Sequence, residues 1–395
     1  MKYSILLGSG FSVPKGLPSV SSINEKFTNL KVEDIIIGPN RSVGFLNGQI
    51  DPNGWMTEKE RLFFVEFIDD YCKQIGGAKK FHYEEFFDYY HSYYQGREEN
   101  DNIESFCEKF KLKNETDTDN ANLLLGFNNI FTQLLASLLR KKEFYENSVF
   151  KMDYRPYDDF VNYLEMITNT NEIVNIHTLN HDIFFEHLAK STKLQSKFTD
   201  GYTEMGSPYY GDLEVDFGIL KNYKVRIKYF NNQYNKSIRL YKLHGSIDTY
   251  YFNNLSGENF DKTRIKGDFK VFDFYKEVED HTTGEKKYIK GYYEQFPDFL
   301  SGTTEKLRSY NNEYYKILFD HFKYNLSKSE KLLIIGYGFW DKGINKFIKE
   351  YFISRGKIPT VISPNKSTSP FYKENEFNHI SKSIGDVKID ELLNI

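Results

Sequence analysis

An apolar run from Ile5 to Leu7, entered through Tyr3 and Ser4, stops abruptly at Gly8-Ser9-Gly10-Phe11-Ser12. A short continuous run closed by glycines predicts a buried strand feeding a tight turn. A second turn, Gly16-Leu17-Pro18, follows, and Ser19 to Ser22 offers caps for a helix over Ile23 to Leu30. From Thr57 to Ile167 apolar positions recur every three or four residues. Leu62 through Tyr71, Tyr83 to Tyr94, Asn122 to Leu139 and Tyr157 to Met166 read as helices, with Thr57 and Glu60 as a capping box for the first and Asn114 to Asn120 as a polar loop. Their aromatic stripes read as core, not as a ligand box. Strand spacing returns at Glu172 to Ile176, before His177-Thr178-Leu179-Asn180-His181-Asp182 and a helix from Ile183 to Lys190. Residues 201–298 read as β-rich, with a strand Ile238 to Leu243 before His244-Gly245. Thr282 to Glu285 forms a hairpin turn between Phe272–Val278 and Lys287–Tyr292. The last third predicts a right-handed βαβ unit: strand Lys331 to Ile335, turn Gly336-Tyr337-Gly338-Phe339, helix Lys342 to Ser354, strand Pro359 to Ile362.

Together these elements predict an α/β fold, a Rossmann-like parallel sheet flanked by helices. Residues 1–50 and 168–395 would form the nucleotide-binding domain, with 201–298 as a β-rich insertion and 51–167 as a helical one. Composition narrows the partners. With 52 basic against 56 acidic residues, neither sign favours a nucleic acid or an anionic membrane. The two cysteines, Cys72 and Cys107, exclude a disulfide framework and a four-thiolate zinc site, and suit a reducing cytoplasm. The start of the chain carries too short an apolar run for a signal peptide, and no uninterrupted apolar stretch is long enough to span a membrane.

The candidate chemistry sits at strand ends. Gly8-Ser9-Gly10-Phe11-Ser12 is half of a dinucleotide fingerprint, with Val13 where a third glycine would stand; such a turn suits either a phosphate or a plain tight bend. Asn180 or Asp182 suits a helix cap, but strand-end polar residues also project into a ligand crevice. Of His177, His181 and His187, the first two flank a strand-to-helix turn and do not share one helical face, which argues against a metal. His244 can serve as a base near neutral pH, and Gly245 permits close approach. Gly336-Tyr337-Gly338-Phe339 with Asp341 and Asn345 forms a second glycine turn, so a crevice between the two turns is expected.

In this order, Gly8-Ser9-Gly10-Phe11-Ser12, Gly16-Leu17-Pro18, Thr178-Leu179-Asn180-His181-Asp182, His244-Gly245 and Gly336-Tyr337-Gly338-Phe339 resemble the NAD-binding motifs of sirtuins. Gly336 to Asn345, and Pro297 to Lys306, are similar to one branch of that superfamily, the bacterial sirtuin-like proteins of anti-phage defence. No cysteine follows Cys107, so the four-cysteine zinc ribbon of the deacylases is missing, and Ser19 and Val20 stand where many deacylases carry Phe-Arg.

The resemblance implies NAD as substrate, no metal, and cleavage of the nicotinamide–ribose bond. It implies diphosphate over Gly8, Ser9, Gly10, Phe11 and Ser12, with Gly16, Pro18 and Thr178 lining the site. Asn180 would hold the ribose and orient water, Asp182 would meet the carboxamide, and His244 would act as base. Gly336, Tyr337, Gly338, Phe339, Asp341 and Asn345 would line the adenosine side, with Ser363 and Asn365 beyond. It further implies an NAD-depleting role in the cytoplasm, self-assembly, and a regulatory partner such as a HerA-type ATPase. A protein deacylase, a non-catalytic NAD or ADP-ribose sensor and a scaffold with a vestigial site are the rival readings.

Overall fold

The computed structural model describes residues 2–37, 43–45, 58–141, 152–216, 220–254, 260–264, 271–280, 282–293, 297, 299 and 313–395. The proposed capping residue Thr57, and all of 297–306 except Pro297 and Phe299, lie outside them. The chain divides into two compact units, one of Met1–Gly16, Lys141–Phe299 and Asn312–Ile395, the other built on Leu17–Arg140.

The first unit holds a seven-stranded parallel sheet. In chain order its strands are β1 (Lys2–Leu7), β2 (Ile173–Thr178), β3 (Phe198–Thr199), β4 (Ile238–Lys242), β5 (Lys331–Ile335), β6 (Thr360–Ile362) and β7 (Asn378–Ile380). They lie in the order β7-β6-β5-β1-β2-β4-β3, every pair parallel. The Rossmann-like class expected from the pattern is thus the one observed. Ile5, Leu6 and Leu7 are at most 1% exposed, so both faces of β1 are covered, which is why its apolar run does not alternate. A helix over Asp158–Asn169 packs on β2, and another over Glu313–Lys328 packs on β1 and β4. The sequence reading overlooks the second of these.

Residues 202–293 add an eight-stranded sheet in which every recorded pairing is antiparallel. It has a small core of Tyr209, Ile227, Phe252 and Phe274. The hairpin expected around Thr282–Glu285 joins Val271–Glu279 to Lys286–Tyr293, with Gly284 left-handed at φ +69°.

The second unit contains helices Val20–Thr28, Glu58–Gln74, Tyr83–Tyr94, Asp101–Asn114 and Asn120–Leu139. Its aromatic stripes do form core: Phe64 stacks on Phe127 at 4.7 Å, and Phe67 meets Phe127 edge-on at 5.1 Å. Asn120–Leu139 is long and apolar enough to cross a membrane, a possibility the search for unbroken apolar runs does not raise; within this unit its Phe127, Ile130, Phe131, Leu134 and Leu135 are buried. The contacts draw the boundaries at Gly16 and Lys141, each N-terminal of the expected limits of 50 and 167. The first helix counts with the helical unit, while Asp158–Asn169 joins the sheet because it packs on β2.

Candidate functional site

Pairing register aligns five strand ends in one row. Leu7 lies opposite Thr178 and Ile335, Thr178 opposite Lys242, and Ile335 opposite Ile362. The turns beyond the row are tied to it by backbone hydrogen bonds. Leu179 N–H donates to Leu7 O at 2.9 Å, Leu243 N–H to Thr178 O at 3.0 Å, Ile247 N–H to His181 O at 3.0 Å and Gly336 N–H to Ile362 O at 3.0 Å. The chain leaves β1 toward β2 and leaves β5 toward β6. The β1/β5 seam is therefore a topological switch point, the place where open α/β sheets bind ligands.

At that seam the two glycine turns touch backbone to backbone. Gly8 N–H donates to Ile335 O at 2.9 Å and Gly10 N–H to Gly336 O at 3.0 Å. A Cβ on Gly8 would lie 2.5 Å from Gly336 O, one on Gly10 2.7 Å from Gly336 Cα, and one on Gly336 2.4 Å from Gly10 C. The glycines are required by this mutual approach. Phe11 N–H and Ser12 N–H close back onto Gly8 O and Ser9 O. Among the described residues only the Ser9 N–H of this turn donates to no protein carbonyl. The expected cradle of amides over Gly8 to Ser12 is reduced to exposed Ser9. Phe11 is core: it packs against Tyr157, Phe160, Phe184 and Phe185, and its carbonyl accepts from the Tyr157 hydroxyl at 2.5 Å.

Asn180 is half-buried, its amide NH2 donating to Gly8 O at 3.0 Å and Ser12 Oγ at 3.1 Å, its own N–H to Thr178 Oγ1 at 3.1 Å. Its carbonyl oxygen has no protein partner among the described residues. Buried Ser12 passes the chain on to the Asp182 carboxylate, which also accepts from Phe184 N–H at 2.9 Å. Burial pushes the Asp182 carboxyl up from its ordinary value, and nearby Lys242 partly opposes this. Expected on a ligand, Asp182 is instead buried behind Ser12 at the start of the 184–190 helix.

His244, 3% exposed, follows β4, and its Nε2 lies 3.3 Å from Oδ2 of Asp341, which follows β5. Its ring centroid is 6.2 Å from that of His181. The other Asp341 oxygen accepts from Ile344 N–H at 3.0 Å and caps the helix Lys342–Tyr351. Asn345, expected on the adenosine side, braces the turn: its NH2 donates to Phe339 O at 2.9 Å and its oxygen accepts from the Tyr337 hydroxyl at 3.0 Å. Phe339 takes the left-handed conformation, φ +61°, and is core, packed on Tyr337, Phe371, Tyr372 and Phe377. Gly338 O accepts from Ser367 Oγ at 2.7 Å, and Ser363 Oγ donates to the carbonyl of exposed Asn365 at 2.6 Å. Gly16 is left-handed at φ +72° and closes the sheet unit, while Pro18 counts with the helical unit.

Beneath the row lies a set of buried charges that motif reading misses. Lys242 Nζ is 3.0 Å from Glu186 Oε1 and donates to Asp182 O. Arg264 Nη1 is 2.5 Å from Asp200, and its Nε is 3.3 Å from Asp248. Burial would raise the Asp248 carboxyl, but Arg264 and then Lys242 reverse this and hold it below the usual range. Lys242 ends a strand otherwise apolar at alternate positions, a visible signal; its partner Glu186 is far off in sequence and was not. His181, weighed above only as a metal ligand, has its ring centroid 4.7 Å from that of Phe299 and 6.2 Å from that of His244. Among the described residues no group of three or more His, Cys, Asp or Glu could hold a metal ion.

No family model and no curated protein matches the chain. Solved structures similar to it include a mutant Sir2 homologue in complex with ADP-ribose, at 10% identity and TM-score 0.38, covering 100% of this chain and 91% of that one. A Sir2 homologue in complex with NAD has 10% identity and TM-score 0.34, covering 100% and 88%. A Sir2 protein bound to a propionylated peptide has 9% identity and TM-score 0.34, covering 98% and 89%. These are distant likenesses, and the fold class stands on the sheet order given above.

Proposed function

We propose that the chain is an NAD glycohydrolase, converting NAD and water to ADP-ribose, nicotinamide and a proton. One observation carries the reading: on interlocked turns at one row of strand ends stand an amide with an uncommitted carbonyl oxygen, Asn180, and an imidazole beside a carboxylate, His244. Departure of neutral nicotinamide from its cationic precursor leaves an oxocarbenium-like sugar, so positioning and electrostatic complementarity supply most of the catalysis. In this reading the Asn180 carbonyl oxygen accepts from the attacking water or a ribose hydroxyl. His244 takes the proton released as water adds to the sugar carbon. Ser12 and Asp182 hold Asn180 in place from behind. The diphosphate lies on Ser9, and the adenosine lies toward Gly336, Gly338, Ser363 and Asn365.

The resemblance of Gly336–Asn345 to the defence branch extends the proposal to NAD depletion in the cytoplasm, by an oligomer under a regulatory partner of the HerA ATPase kind. The test is nicotinamide release from NAD by the purified chain, alone and with that partner. Asn180→Ala and His244→Ala should each lower it at least about 10²-fold with the melting temperature held. Full activity in both variants overturns the assignment. Release that depends on an acyl-lysine peptide would make it a deacylase; stabilisation by NAD without turnover would make it a sensor.

A further inference from the structure

We infer that Arg264 is a positioning residue for His244, anchoring the far end of the loop on which the imidazole rides. The inference rests on the reading of His244 as the base. The loop runs from Lys242, the last residue of β4, to Asp248, and turns through Gly245 in the left-handed conformation, φ +79°. Backbone bonds hold its middle, that of Ile247 N–H to His181 O at 3.0 Å among them. Buried charges hold its two ends. At the near end Lys242 meets Glu186 of the 184–190 helix and donates to Asp182 O, two residues past Asn180. At the far end Arg264 stands between two carboxylates. Its Nη1 donates to Asp200 Oδ2 at 2.5 Å, and its Nε lies 3.3 Å from Asp248 Oδ2, an ion pair without hydrogen-bond geometry. The side chains of Arg264, Asp200 and Asp248 are 6%, 9% and 18% exposed. The antiparallel sheet puts the arginine there, as the last residue of strand Phe260–Arg264 and opposite Thr249 in the pairing. Its guanidinium lies 4.2 Å from the ring centroid of Tyr202, and Asp200, which directly follows β3, accepts from Tyr202 N–H at 3.2 Å. One cation thus ties the antiparallel sheet, the edge of the parallel sheet and the His244 loop to a single point. A buried ion pair adds little stability over an apolar contact of the same shape, so stability alone does not account for three such charges here. Geometry does: displacing a reacting group by about 1 Å costs about 10²-fold in rate. Without Arg264, Asp200 and Asp248 would be left as buried like charges, and their repulsion would drive Asp248 and its loop from their place.

The test uses the full chain and separates position from stability. Arg264→Met should lower the melting temperature by about 5 °C or more and kcat for nicotinamide release about 10²-fold, with KM little changed. Adding Asp200→Asn and Asp248→Asn removes the uncompensated charges, so the triple variant should regain the melting temperature and keep the low kcat. Arg264→Lys, which holds the charge without the fork, should lose only about tenfold. A second readout needs no turnover. The ¹⁵N-histidine signal of His244, assigned among the nine histidines by His244→Gln, should move in the triple variant. It should stay in place in Arg226→Met, which alters an exposed arginine of the same antiparallel sheet. Wild-type kcat in the triple variant overturns the inference and leaves the cation serving the fold alone. A triple variant whose His244 signal is unmoved overturns it as well. A wild type that leaves NAD intact while that signal still moves refutes the glycohydrolase reading and leaves the positioning role standing.

Discussion

The turns after β1 and β5 are built from similar residues and do different work. Gly8–Ser12 folds its amides inward, onto Ile335, Gly336 and its own carbonyls, and offers outward little besides Ser9. Gly336–Asp341 is braced from within by Asn345 and Tyr337, and delivers a carboxylate to the histidine beyond β4. The difference teaches that paired glycines at a switch point need not form an anion nest. Here they let two backbones meet, and the candidate reactive groups stand on side chains of neighbouring turns.

The comparison can be broken at its closest contact. Gly336→Ala forces a Cβ to 2.4 Å from Gly10 C at a left-handed φ of +64°, and should cost about 4 kcal/mol or more, read as a collapse of the denaturant midpoint. Gly338→Ala meets only the exposed Trp340 indole, at 3.2 Å, and should cost less than about 1 kcal/mol; equal losses would refute this account of the seam. Between these extremes, Asn345→Ala strips Phe339 O of its donor inside the β5 turn. It should destabilise by about 2 kcal/mol in urea unfolding, whereas a ligand-facing asparagine would move KM with stability intact. The smallest effect concerns the other turn. Gly8 has ψ −177°, compatible with a following proline, and Ser9 opens a helical turn, so Ser9→Pro removes one outward N–H at little structural cost. It should raise the KM for NAD about tenfold with the melting temperature unchanged. An unchanged KM would remove the diphosphate from that turn.

Much of the sheet was legible in the residues. β1 and β5 are apolar runs ended by glycines, and the row of turns follows from their register. Glu313–Lys328 was overlooked although Tyr315, Leu318, Phe319, Phe322 and Leu326 keep helical spacing. β3, of two residues, has no pattern of its own and exists through its pairing with β4. At the strand ends, Asn180 and His244 stand out as candidates because the motifs put polar side chains directly after apolar strands. For Phe11, Phe339 and Asn345 a motif fixes the position along the chain but not which way the side chain faces, and all three pack inward. The pairings of Glu186 with Lys242, of Arg264 with Asp200 and of His244 with Asp341 join residues more than fifty positions apart, beyond any local pattern.

Because β1 lies between β2 and β5, its two hydrogen-bonded edges are supplied by residues about 170 and 330 positions downstream. On a ribosome β1 must therefore wait, one edge bare, until Lys331–Ile335 has been made. The histidine and its carboxylate cannot face each other before residue 341 has emerged. A polypeptide that stops short of these residues has no assembled row of turns, so whatever reaction the rim performs is withheld until they are made.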